Sequence, residues 1–381
     1  MMRINNWILL ILLFTGQAIR AQINNQFLEN TIQVNDSLQQ KVLLNIQSNN
    51  FFKNNEYFGK ISTGYTLMGT QLGTQIAYLP NSFLRIQGGL FFQKDFGNDT
   101  NLLVKPILSC KIQKNGYSVI FGTLEGNIAH RIIEPLYNYE RFISNPVENG
   151  LQIKIDKKKL WSDTWLQWEQ MQYPGSTFQE QFSVGHHTDF SIVKQKQWEV
   201  SLPIQFLVSH KGGQIDIDTT PLKTIANAAI GFKVHFNSKN EGTFIKSLST
   251  ENYFSIFNDL SPTKTLTFKQ GNGLYLNATA ISKYDIAASI GYWNATQFLA
   301  SRGGYLFQSE ASIYGTPGYV QTNRNLLFFR VLYARKVFDV LDVNVRFEPY
   351  YDLDAATFEY SYSVFFSYKS DFTLFNVNKR K

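Results

Sequence analysis

Three short stretches of the chain gather residue types that could do chemistry. The first is His130-Arg131-Ile132-Ile133-Glu134-Pro135-Leu136-Tyr137-Asn138-Tyr139-Glu140-Arg141, followed by Glu148-Asn149-Gly150. A guanidinium offers a planar fork of donors and a tyrosine an apolar ring with a polar tip, so such a loop can clamp a sugar, a carboxylate or a phosphate. The competing reading is that Arg131, Glu134, Glu140 and Arg141 pair with one another and hold the loop folded. The second is Leu160–Gln170, in which Asp163, Trp165, Gln167 and Glu169 alternate. A strand sets all four on one face, where an acidic, aromatic stripe can stack sugar rings, or can simply be polar packing. Trp168, on the other face, can anchor at a membrane interface. The third is Ser209-His210-Lys211-Gly212-Gly213-Gln214-Ile215-Asp216, at a strand-to-loop junction.

Several familiar chemistries are absent. Ser209 and His210 are neighbours, and neighbours on a strand point to opposite faces, so they cannot form a nucleophile–base pair; a partner for His210 must come from another strand. No G-x-S-x-G elbow is present, and the Gly212-Gly213 pair lacks the spacing of a phosphate-binding loop. His186-His187 fail as a metal pair by the same alternation, His235 stands by itself on its strand, and the single Cys110 excludes an intramolecular disulfide or a cysteine-based metal site. The expectation is a protein with no enzymatic activity, no metal and no cofactor.

The elements that must position these residues are strands. From Val340 to Lys369, Leu341, Val343, Val345 and Phe347 alternate with Asp342, Asn344, Arg346 and Glu348. The pattern resumes with Phe358, Tyr360, Tyr362, Val364, Phe366 and Tyr368 against mostly polar neighbours, interrupted by Phe365. Aromatic residues are 15% of the chain and charged residues 17%, below the ~25% charged of soluble domains. From Tyr57 onward, strands of about ten residues recur without a sustained helical period. Their connections alternate between short turns, near Pro80, Asn115, Lys158, Gln195 and Lys239, and longer loops at Asn127–Val147, Tyr173–Ser176, Lys211–Leu222 and Leu299–Asn323. That sorting by length is the habit of outer-membrane barrels, with turns in the periplasm and loops outside. The expected fold is all-β: one antiparallel transmembrane β-barrel of about 16 strands, within a range of about 14–18.

The ends complete the division. Arg3, the apolar run Trp7–Phe14 and small residues up to Ala21 read as a signal peptide over residues 1–21. Residues 22–56 read as a short N-terminal periplasmic segment or plug, 57–369 as the barrel and 370–381 as a C-terminal tail. The formal charge of +7 falls to +5 without Arg3 and Arg20, and no basic run is dense enough for nucleic acid.

The signal peptide, the alternating aromatic strands and the outward loops together resemble the porin-like outer-membrane β-barrels of Gram-negative bacteria. Phrases such as HRIIEPLYNYERFISNPVENG, TWLQWEQ and SHKGGQIDID are similar to those of uncharacterised Bacteroidota outer-membrane proteins. A more distant likeness is to capsule-assembly barrels of the Wzi type, which implies polysaccharide handling at the cell surface. The resemblance carries fold and location, and no catalytic residue.

The functional expectation is a porin-like channel or surface-glycan binding protein in the outer membrane, touching lipid and a small solute or polysaccharide. The lumen or outer-mouth set is His130, Arg131, Glu134, Tyr137, Glu140, Arg141, Asp163, Trp165, Glu169, His210, Gln214 and Arg346. Inward charges such as Asp163, Glu169, Asp342, Arg346 and Glu348 would set selectivity. Two alternatives stand beside it: an outer-membrane enzyme acting on lipid or lipopolysaccharide, and an accessory of a secretion or surface-assembly machine with an oligomeric or machinery partner. A serine or threonine hydroxyl within reach of His130 or His210 favours the enzyme.

Overall fold

Sixteen antiparallel strands close on themselves in a computed structural model that describes residues 25–29, 31–126, 128, 130–240, 242–338 and 340–377. They are β1 (Lys41–Glu56), β2 (Tyr65–Asn81), β3 (Leu84–Asp95), β4 (Leu102–Lys114), β5 (Tyr117–Thr123), β6 (Asn149–Lys157), β7 (Leu160–Gln170) and β8 (Gln181–Lys194). The circuit continues with β9 (Trp198–Lys211), β10 (Lys223–Asn237), β11 (Ile245–Asp259), β12 (Gln270–Ser282), β13 (Ile286–Thr296), β14 (Asn323–Val337), β15 (Leu341–Asp352) and β16 (Thr357–Asn376). Every strand pairs with its sequence neighbours, and β1 pairs with β16 from Lys41↔Asn376 to Glu56↔Tyr360. Closure leaves no open edge, a condition the bilayer imposes on any strand that crosses it. No helix among the described residues is long and apolar enough to span a membrane.

Alternation decides which way each side chain points. On β15, Asn344, Arg346 and Glu348 are buried inside while Val345 and Phe347 are exposed outside. On β16, Phe365 turns inward and packs on Phe27 and Phe142, which accounts for the break in its polar face. The outer wall carries Ile76, Leu90, Leu108, Phe121, Ile230, Phe254, Ile290 and Phe366, all exposed. Apolar surface this extensive fits lipid rather than water.

The first strand lies where the sequence suggests an extramembrane segment. Its inward residues Asn45, Asn49, Lys53 and Asn55 are polar and its outward ones mix Leu44, Phe52 and Asn54, so low strand propensity hides the alternation. Thus residues 41–56 belong to the wall, and the barrel begins there rather than at Tyr57. Residues 57–64 are a connection, and β2 runs unbroken from Tyr65 to Asn81. At the other end, β16 continues to Asn376, so most of the expected tail is strand. The described residues ahead of β1 enter the lumen: Leu28, Ile32 and Val34 are buried, and Gln47 donates to the Leu28 carbonyl at 3.2 Å. The expected signal peptide over residues 1–21 lies outside the described residues.

The start of β1 and the end of β16 sit at one mouth, which also holds the turns 82–83, 115–116, 158–159 and 195–197. The opposite mouth holds the longer connections, including 124–148, 212–222 and 297–322. By the sorting rule for outer-membrane barrels the latter mouth is the outer one. Loops 124–148 and 297–322 do not stand up from it. Ile133, Leu136 and Tyr137 from one, and Phe298, Leu306 and Phe307 from the other, pack inside the barrel against Trp165, Tyr253, Tyr275, Trp293 and Phe328. The lumen therefore has a core. Trp165 fits because Gly185 lies opposite it; a Cβ there would come within 2.1 Å of the indole.

Candidate active site

The residues singled out on 124–148 make the plug. His130 is fully buried; its Nδ1 lies 2.8 Å from Asp163 Oδ2 and its Nε2 2.9 Å from Glu148 Oε2. The imidazole stacks on Trp165 with ring centroids 3.6 Å apart. Both partners are carboxylates and can only accept, so both ring nitrogens carry hydrogens and His130 is an imidazolium with no basic lone pair. Burial by itself would push its pKa down, but Asp163 and Glu148 outweigh it and raise it to about 9. Tyr137 donates to Glu148, and Gln152 donates to Asp163 at 2.9 Å.

The other carboxylates of this set are also matched. Glu134 pairs with Arg330, which lies 3.4 Å from Glu348. Glu140 meets Lys53 at 2.5 Å and accepts from Tyr65 at 2.5 Å. Arg131 lies over the Trp161 ring at 3.9 Å, and Arg141 over Tyr137 at 5.2 Å. Glu169 pairs with Arg302 of the second inserted loop. Arg346 sits among Phe27, Tyr139 and Phe365 and donates to Asn344 at 3.0 Å. Gln214 is exposed in the loop 212–222, apart from the rest. Of the four charges of the first stretch, Glu134, Glu140 and Arg131 thus meet the wall and Arg141 meets Tyr137 of its own stretch, rather than pairing with one another.

His210 differs. It lies near the outer end of β9 on the even-numbered face that carries Leu202 and Ile204, the face turned to lipid. Its Nε2 is 2.8 Å from the Gly212 carbonyl, which can only accept, so Nε2 carries the hydrogen. In the neutral imidazole Nδ1 is then the lone pair, placed to accept from the Thr224 hydroxyl at 2.8 Å. Register makes the pair: Trp168↔Phe182, Phe182↔His210 and His210↔Thr224 are opposed across β7, β8, β9 and β10. Phe182 stands 4.8 Å from His210 and 5.2 Å from Trp168, ring centre to ring centre. Aromatic residues in such a row mark headgroup depth. A hydroxyl donating to a base that a third group orients is the arrangement of an activated nucleophile. Sequence reasoning singled out His210 and missed Thr224 and Phe182, which only strand pairing brings to it. Among the described residues no metal-holding group of histidine, cysteine and carboxylates occurs.

A family described as lipid A 3'-O-deacylase-type matches residues 33–377. The chain belongs to this family. The expectation of a barrel without enzymatic activity is overturned by that membership, since the family's description is that of a deacylase. No curated protein matches the sequence. Among solved structures, the chain is similar to OmpT, an outer membrane protein of Vibrio cholerae, at 9% identity over 86% of this chain and 97% of that one, with a TM-score of 0.50. It is also similar to OccK2 (OpdF) of Pseudomonas aeruginosa, at 8% identity over 88% and 99% of the two chains, with a TM-score of 0.50. At such identities the likeness is one of fold: this family member is an outer-membrane β-barrel.

Proposed function

We propose that the protein is an outer-membrane esterase that removes an ester-linked acyl chain from a lipid A-type glycolipid, working on the lipid side of its outer rim. The observation that carries this reading is the Thr224–His210–Gly212 alignment at the depth marked by Trp168 and Phe182. An acyl ester of an outer-leaflet lipid lies at the boundary of headgroup and hydrocarbon, and the pair lies on the wall at that height. Thr224 Oγ1 attacks the ester carbonyl carbon as its proton passes to His210 Nδ1. The sugar oxygen leaves with that proton, and water then releases the fatty acid from Thr224, with His210 again acting as base and then acid. The lumen set of His130, Glu134, Glu140 and their partners keeps the plug folded and does not touch substrate. The filled interior gives the channel reading no observation in its favour.

The test is fatty acid release from vesicles containing lipid A by the purified protein in its folded, membrane-inserted form. Thr224→Ala and His210→Ala should each remove activity by about 10²–10⁴-fold, the usual worth of a positioned base. Wild-type rates in both variants, with the protein shown to be folded, would overturn the assignment.

A further inference from the structure

The plug does not fill the lumen evenly. Against β1–β4, on the side of the circuit away from β9 and β10, it leaves a cavity of about 130 Å³. Inward residues Asn49, Gln71, Gln75, Arg85 and Gln87 line it, together with the Phe91 and Phe142 rings. At roughly 10–15 Å³ per water by the same measure, it has space for about ten waters, enough for a hexose ring and its hydroxyls.

Four polar atoms around it have no partner: Arg85 Nε, Asn49 Oδ1 and Gln87 Oε1 of the wall, and Glu29 Oε1 of the segment ahead of β1. Arg85 is 2% and Asn49 6% exposed. The remaining groups of the three wall side chains are engaged. Arg85 Nη1 donates to the Ile32 carbonyl, Asn49 Nδ2 reaches Gln71 at 3.4 Å, and Gln87 Nε2 donates to Gln75 at 2.8 Å. What is left over is one donor and three acceptors, one of them a carboxylate oxygen, and buried polar groups need partners. An anion would meet the Glu29, Glu125 and Glu148 carboxylates that also line the cavity, and Glu125 already stands 3.8 Å from Arg85 Nη2; a cation would answer the acceptors and repel the guanidinium. A hydroxyl both donates and accepts, so a molecule with several hydroxyls answers all four. Gly73 adds an independent mark. It lies in the middle of β2, lines the same cavity, and a Cβ built on it meets nothing within 4 Å. A glycine in a strand interior with open space before it marks a place where another molecule approaches the backbone.

We propose that this cavity binds a neutral polyhydroxylated molecule of monosaccharide size, independently of the ester-cleaving pair on the opposite outer wall. The site recognises hydroxyls through Arg85, Asn49 and Gln87, and the Phe91 and Phe142 rings meet the C–H faces of the sugar.

The experiment uses the full chain in detergent micelles, with D-glucose, N-acetylglucosamine and glycerol as probes, read by saturation-transfer NMR and calorimetry. Saturable binding of at least one hexose is expected, without displacement by inorganic phosphate. Gly73→Leu, which fills the space, should weaken binding by about tenfold or more, and Gln87→Leu, which removes one acceptor, by about fivefold. Both variants should keep heat-modifiable migration as folded barrels and wild-type fatty acid release, while His210→Ala should bind the sugar normally. No saturable binding of any of the three probes means that the cavity holds only water and overturns the proposal. So does displacement by phosphate, or unchanged affinity in folded Gly73→Leu.

Discussion

His130 in the lumen and His210 on the rim each have both ring nitrogens engaged, yet only one of them can act as a base. The difference lies in what their partners can do. Asp163 and Glu148 both accept, so they hold His130 as a cation and leave it nothing to give to a hydroxyl. Gly212 accepts from one nitrogen of His210, and Thr224 donates to the other, so a basic lone pair faces an alcohol. Surroundings repeat the contrast. The lumen around His130 is packed and cross-braced by buried ion pairs; the rim is half-exposed among aromatic residues at the membrane surface. Density of charge in the sequence therefore marks where the molecule is held together, and the pair proposed to react sits where charges are few.

The largest expected effect separates the two histidines directly. His210→Ala should lower fatty acid release by about 10²–10⁴-fold with little change in unfolding temperature. The converse expectation belongs to the plug. Arg330→Gln strands Glu134 and Glu348 in the core, and removing one partner of a buried pair costs about 3–5 kcal/mol. Thermal unfolding in micelles should shift strongly, and planar bilayers should begin to show conductance as the loops loosen. A wild-type unfolding profile would mean that these pairs do not hold the plug.

A smaller effect concerns pH. The folded pKa of His130, about 9, lies above the unfolded value near 6.5. The stability it contributes is then complete below about pH 6.5 and disappears as pH rises through 9. Trp165, stacked on that imidazolium, reports it: tryptophan emission should show a transition near pH 9 that His130→Gln removes. The same titration in His210→Ala should be unchanged. Smallest is the aromatic row. Phe182→Leu removes a ring contact worth ~0.5–1.5 kcal/mol, so activity should fall only about 2–10-fold, mainly through weaker engagement of vesicles.

Much of the wall was legible because lipid and lumen enforce a period of two. The β15–β16 hairpin, the inward row Asp163, Trp165, Gln167 and Glu169 of β7, and the short turns after Pro80 and at Asn115 all follow from alternation and turn chemistry. β1 was hidden because its inward row is asparagine-rich and its alternation is broken by Leu43 and Phe51 facing the lumen. The fate of 124–148 was hidden as well. Its charges pair with Lys53, Arg330 and Asp163, which come from distant strands, and no local pattern encodes such partners. The proposed pair was half legible. His210 stood out, and its neighbour Ser209 could be discarded on alternation. Thr224 emerges only when the β9–β10 register, Lys211↔Lys223, is known, for a one-residue slip would turn it inward.

Mass spectrometry of lipid A after incubation with the folded protein in vesicles tests the assignment of chemistry to the outer wall most directly. The expected result is loss of one ester-linked acyl chain with wild-type protein and with folded His130→Gln, and no loss with His210→Ala or Thr224→Ala. An intact product with wild-type protein, or cleavage that needs His130 and survives without His210, would contradict it.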